Sequence, residues 1–290
     1  MFCGRRTVLA AALGLAAGCA RSGPPTSVAP ALVPPSPSQS PSPSPSPSLS
    51  PSPSLSSSVA APSREEVIAR YAGQRPTRWG TDLPGVVAEV PDGALALTFD
   101  ACGGPGGDGY DAALIDTLRR HRVPATLFLN ARWIDANPGP FGDLAADPLF
   151  ELGNHGTAHR PLSVTGRSAY GIAGTADAAA AYGEVADNAA KLSALLGRPP
   201  RWFRSGTAHY DEVAVRIVGE LGERVAGFAV NGDGGATFTA EQVARTVGAA
   251  PPGAVVISHF NHPDAGTGRG YAQALPRLLD AGRRFVRLSD

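Results

Sequence analysis

Five side chains suited to acid–base or metal chemistry stand directly after apolar runs: Asp100, the pair His155 and His159, Arg204, and His259. Asp100 follows Ala94-Leu95-Ala96-Leu97-Thr98-Phe99, which is apolar on both faces as a buried parallel strand should be. Glycines occupy four of the seven positions after it. A carboxylate at the carboxyl end of such a strand is where α/β folds keep their chemistry, although it could equally cap a turn. Two histidines four residues apart can offer both rings to one ion, from a helical turn or from a loop curled around it.

These residues need elements to hold them. Amphipathic or alanine-rich segments suited to helices cover 111–121, 175–196, 211–221, 240–248 and 271–281. Between them, 125–129, 151–154, 202–204, 225–231, 254–258 and 284–288 read as strands. Ser63 to Ala72 reads as a short helix with Ser63 and Glu66 forming a capping box, and 74–92 reads as an irregular lead-in. Alternation of this kind implies a parallel sheet with helices outside. A closed or nearly closed barrel is expected because polar residues gather after several different strands. The glycines after Asp100 fit neither the dinucleotide nor the phosphate-loop spacing.

The front of the chain is a different material. Arg5-Arg6 and the apolar run Val8 to Ala17 lead to Leu15-Ala16-Ala17-Gly18-Cys19. The run is shorter than the roughly 20 residues that span a bilayer, and reads as an export signal, by the Sec or the twin-arginine route. Residues 20–63 are dominated by proline, serine and alanine, a composition that makes an extended spacer. Residues 1–63 hold three arginines and no acid, so removing those three from 25 basic residues leaves 22 against 25 acidic ones. That mildly acidic balance argues against a nucleic-acid partner. Of the three cysteines, Cys3, Cys19 and Cys102, only Cys102 lies in the folded part, so no disulfide can staple it.

From Ala94 to Ser289 the chain resembles the polysaccharide deacetylases of the NodB-homology type, carbohydrate esterase family 4. Thr98-Phe99-Asp100 resembles the family's first motif and Asn154-His155-Gly156-Thr157-Ala158-His159 the second. Gly197 to Arg204 resembles the approach to the third, Val230 to Gly235 stands in the place of the fourth, and Val255 to His259 resembles the fifth. The resemblance implies a distorted (β/α) barrel over 94–290, with 64–93 as lead-in, and a divalent metal, zinc, held by His155 and His159. It implies Asp100 as general base, His259 as acid, Arg204 as the partner of Asp100, and Asp233 as support for His259. The backbone N–H of Thr207 would face the oxyanion, and Trp133 is a candidate for stacking on a sugar ring. The implied substrate is an N-acetylated glycan, peptidoglycan ahead of chitin or xylan. Residues 1–19 resemble a bacterial lipoprotein signal with Cys19 as the lipidated residue, although Ala16 stands where leucine is usual. The expected location is thus a membrane surface facing the wall, or secretion.

Departures from the family pattern matter as much. The second aspartate of the first motif, the family's third metal ligand, is Ala101 here. Asp108 is the favoured replacement because flanking glycines free its backbone to approach; Asp111, Cys102 and His262 are alternatives. The third motif, Arg204-Ser205-Gly206-Thr207, lacks the usual proline and aromatic, which predicts a reshaped groove. A second reading is a non-catalytic wall-binding lipoprotein that has lost its metal.

Overall fold

A computed structural model describes residues 62–290 of the chain. Residues 1–61, where the export signal, the lipidated Cys19 and most of the spacer are expected, lie outside the described residues. The first helix, α1 (Arg64–Tyr71), has the expected capping box: Ser63 Oγ accepts from the Glu66 N–H and the Glu66 carboxylate accepts from the Ser63 N–H. Next come β1 (Trp79–Gly80) and β2 (Val86–Val87), in the stretch that reads as irregular. Strands of two residues are too short to leave a periodic signal. They are followed by β3 (Leu95–Ala101), α2 (Ala112–His121), β4 (Ala125–Leu129), α3 (Ala131–Ala136), α4 (Pro138–Ala146), β5 (Phe150–Asn154) and α5 (Ala178–Leu196). The second half runs β6 (Trp202–Phe203), β7 (Tyr210–Asp211), α6 (Glu212–Glu220), β8 (Arg224–Ala226) and β9 (Val230–Asn231). It ends with α7 (Ala240–Gly248), β10 (Val255–His259), α8 (Thr267–Asp280) and β11 (Phe285–Val286).

Among the described residues nine parallel strands make one curled sheet, ordered β2-β8-β6-β5-β4-β3-β10-β9 with β11 also paired to β3. β3 is its centre. β10 runs along one edge of it from Ala96 to Asp100. On the other edge β11 pairs with Leu95 and Ala96, and β4 with Thr98 to Ala101. Residues 86–90 link β8 to the start of β10. Val86 and Val87 pair with β8, while Ala88 O accepts from the Val255 N–H and the Val90 N–H donates to Gly253 O. The outcome is the distorted (β/α) barrel that the family resemblance implies, with the parallel sheet that the alternation predicts.

The two-residue period of β3 sorts its side chains between two environments. Leu95, Leu97, Phe99 and Ala101 pack outward into an apolar layer with Leu114, Leu118, Val243 and Leu275. Ala96 packs with Phe128, Trp202, Val255 and Leu288. Each fully buried Leu or Phe contributes roughly 1.5–3 kcal/mol, so β3 is anchored firmly on its outer face. Its inner face can therefore carry polar residues, Thr98 and Asp100, toward the barrel mouth. The segment that reads as one strand over 225–231 is split into β8 and β9. Gly227 interrupts it, and a Cβ there would lie 2.5 Å from Val86 Cγ1. The break leaves the carbonyls of Ala226 and Gly227 free for a side chain described next.

Candidate active site

Arg204 follows β6 and is fully buried. Its Nη1 donates to Asp100 Oδ1 at 2.8 Å and to Thr98 Oγ1 at 2.9 Å, its Nη2 to Gly227 O at 2.8 Å, and its Nε to Ala226 O at 3.4 Å. The guanidinium carbon lies 4.3 Å from the centroid of the Phe128 ring. A buried charge is tolerable only when its donors are met, and here the interrupted strand supplies two of the acceptors. Burial opposes the ionisation of Asp100, but Arg204, then His155 and His259, outweigh it and hold the carboxyl below its usual range.

His155 comes directly after β5 and is also buried. Its Nδ1 donates to Arg204 O at 2.9 Å, which fixes the tautomer and leaves the Nε2 lone pair for other partners. That nitrogen stands 3.7 Å from Asp100 Oδ2 and 3.9 Å from Cys102 Sγ. The His159 ring is edge-on to it, centroids 5.0 Å apart. His159 has a left-handed backbone (φ 58°), and a Cβ on Gly206 would lie 2.2 Å from its carbonyl carbon. Only glycine at 206 admits the loop that turns His159 inward. Beneath this loop, Glu184 of α5 accepts the N–H groups of Ala158 and Arg160. Asn130 Nδ2 donates to the carbonyls of His155 and Gly156. Neither support carries a mark in the sequence: Glu184 is one residue of a long helix, and Asn130 is the N-cap of a helix of six residues, too short to leave a periodic signal.

His259, the last residue of β10, is the register partner of Asp100. Its Nδ1 is 3.1 Å from Asp233 Oδ1 and its backbone N–H donates to Asp233 Oδ2 at 2.7 Å. Thr267 Oγ1 and the Gly235 N–H also donate to Asp233. Burial works against a charge on His259, but Asp233 overrides it and lifts the ring well above the ordinary histidine range. Asp233, itself buried, is correspondingly held low, chiefly by His259. For Cys102, burial pushes the thiol up, but contacts with His155, His159 and His259 bring it well below the usual value. The thiol of Cys102 and the rings of His155 and His159 form a donor set suited to a cation.

Cys102, His155 and His159 each present a ligand atom within 4.8 Å of the others. One thiolate and two imidazoles suit zinc, which takes nitrogen and sulfur donors and keeps a position open in catalytic sites.

Two expectations are corrected by this geometry. Asp108 is exposed and bound into its own loop, where its Oδ1 accepts the Gly104 N–H; it is outside the cluster of ligand atoms. Asp111, an alternative, caps α2 through the Leu114 N–H. Trp133 does not reach a surface where a sugar could stack. It lies in α3, fully buried, with Nε1 donating to Gly109 O and its ring against Phe260. Thr207 is half-buried, and its backbone N–H has no hydrogen-bond partner among the described residues. His209 lies between Trp79 and the exposed Tyr170.

Residues 88–226 match the family model for polysaccharide deacetylase. The match stops short of Asp233 and His259, which the fold brings to the same mouth. The chain also resembles solved structures of the family. One is a CE4 family pseudoenzyme from Bacillus anthracis, at 20% identity and TM-score 0.59, covering 72% of this chain and 69% of that one. Another is Bacillus subtilis PdaA, a family 4 carbohydrate esterase, at 19% identity and TM-score 0.57, covering 71% and 82%. A third is a peptidoglycan N-acetylglucosamine deacetylase, at 22% identity and TM-score 0.58, covering 70% and 89%. At these identities the likeness is one of fold. No curated protein sequence matches the chain.

Proposed function

We propose that this protein is a metal-dependent polysaccharide N-deacetylase acting on N-acetylated cell-wall glycan, peptidoglycan ahead of chitin or xylan. The observation that carries this reading is one convergence: a sulfur and nitrogen donor cluster, a buried carboxylate and a carboxylate-held histidine share one mouth of the barrel. His155 and His159 would hold the metal. When bound, it supplies Lewis acidity, polarising the acetamide carbonyl and making water a nucleophile near neutral pH.

The chain's own residues do the rest. Asp100 takes the proton of the attacking water. Its low pKa makes it a weak base, so its contribution comes from being ionised and fixed in place by Arg204 rather than from basicity. The open N–H of Thr207 would donate to the oxyanion as the carbonyl becomes tetrahedral. His259, kept protonated by Asp233, gives its proton to the departing nitrogen; the C–N bond breaks, and acetate and a free amine leave. We further propose export and a lipid anchor at Cys19, with residues 20–63 as spacer, on the strength of the sequence of that segment.

Acetate release from peptidoglycan and from chitooligosaccharides by zinc-loaded protein tests this reading. Turnover that disappears on chelation and returns with zinc is expected. Zinc-loaded protein that binds wall glycan and frees no acetate would overturn it in favour of the non-catalytic wall-binding lipoprotein.

A further inference from the structure

The metal-dependent reading leaves open how the site is completed with alanine at position 101. We propose that Cys102 supplies the missing ligand, so that a divalent transition metal is held by one thiolate and two imidazoles instead of a carboxylate and two imidazoles. The proposal rests on that reading, but is tested separately from it.

Register carries the argument. Successive side chains of an extended strand point to opposite faces. Ala101 pairs with Leu129 across β3 and β4, and its side chain is part of the apolar layer under the helices. Alanine there offers no ligand atom. Cys102 is one residue further, two beyond Asp100, and so returns to the face that looks into the mouth. Its Sγ is 3.9 Å from His155 Nε2, and His159 completes the cluster.

The spacing is compatible with coordination. A sulfur at 2.3 Å and a nitrogen at 2.0 Å from one tetrahedral ion lie roughly 3.5 Å apart. The 3.9 Å between Cys102 Sγ and His155 Nε2 closes to this with a few tenths of an ångström of side-chain rotation, and His159 lies within 4.8 Å of both. His155 is already aimed, because its Nδ1 is bound to Arg204 O and Nε2 has no donor of its own to satisfy. The competing acids are engaged elsewhere: Asp108 in the glycine loop, Asp111 at the start of α2, and Asp100 by Arg204. A set with sulfur in it favours zinc or cobalt over magnesium, calcium or manganese, which prefer all-oxygen sites.

Cobalt substitution of the full chain gives a readout that does not depend on turnover. Wild-type protein with Co²⁺ should develop a near-ultraviolet sulfur-to-cobalt charge-transfer band together with the visible bands of a four-coordinate ion. Cys3 and Cys19 are common to every variant, so the difference between wild type and C102S reports Cys102 alone. In C102S the charge-transfer band should vanish and zinc affinity should fall by more than the roughly 10–100-fold typical of losing an outer partner. C102D should recover much of the affinity without the band, and D108N should leave the band unchanged. Circular dichroism of each variant separates loss of the ligand from loss of the fold. A wild-type spectrum without the band, or a band that persists in C102S, overturns the proposal. The band with no acetate release leaves the ligand assignment standing and removes the deacetylase reading. Acetate release without the band does the reverse.

Discussion

Asp233 grips His259 at two points, with Oδ2 on the backbone N–H at 2.7 Å and Oδ1 at 3.1 Å from the ring Nδ1. The first contact sets where the residue sits, and the second sets which way the ring faces and how firmly it keeps its proton.

Replacing Asp233 with asparagine keeps an acceptor and removes the charge. The His259 pKa, raised by Asp233, should then fall, so the alkaline limb of the pH–rate profile should shift to lower pH. The rate on the plateau should drop by about 10²–10⁴, the usual worth of a general acid. Ring titration of His259 followed by NMR in both proteins measures the shift directly. An unchanged midpoint would show that the contact does not tune the ring.

Arg204→Met strands Asp100 without its counter-ion. Breaking a buried pair from one side costs on the order of 3–5 kcal/mol, which denaturant titration can read. With the guanidinium gone, burial dominates at Asp100 and its pKa should rise. The acidic limb of activity should move to higher pH. Adding Asp100→Asn to the same protein should restore part of the stability and none of the activity.

Gly206→Ala tests the loop that carries His159. The new Cβ would fall 2.2–2.6 Å from His159 backbone atoms, which cannot rotate away. His159 should be pushed outward, weakening zinc about 10–100-fold with little loss of helical circular dichroism. Equilibrium dialysis with zinc is the measurement, and an unaltered affinity would mean that the loop yields elsewhere.

Glu223 offers a prediction away from the mouth. Burial lifts its carboxyl from 4.5 to about 8, with the Asn154 amide as its one opposing contact. The folded chain therefore keeps a proton that the unfolded chain releases. Stability from this group is complete below pH 4.5 and is lost as pH rises to about 8. Thermal melts of wild type should fall across that window, and Glu223→Gln should flatten the slope. A parallel slope in both proteins would assign the pH dependence to other groups.

Much of the site is legible in the sequence because its residues end buried strands, and runs such as Leu95 to Phe99 or Val255 to Ser258 announce themselves. Where the sequence signal misleads, the cause is physical. Asp108 looks available because glycines surround it, yet those glycines let the loop close on its own carboxylate. Cys102 could have been favoured from β3 alone, since two-residue periodicity already puts it on the face of Asp100. Trp133 looks like a loop residue because it follows a strand. Asn130 starts a helix at once, and the ring is turned inward. Gly139 and Gly142 beside Pro138 and Pro140 hide α4 for the same reason: composition reads as a turn where packing against β5 makes a helix. Glu184 shows nothing in the sequence, because its importance lies in which loop α5 happens to underlie.

Residues 86–90 have a consequence for how the domain can be cut. A shorter chain begun at Ala94 would bare the backbone groups of β8 and of the start of β10 that now bond to this segment. Open strand edges recruit one another, so such a fragment should self-associate even though every residue at the mouth is still present.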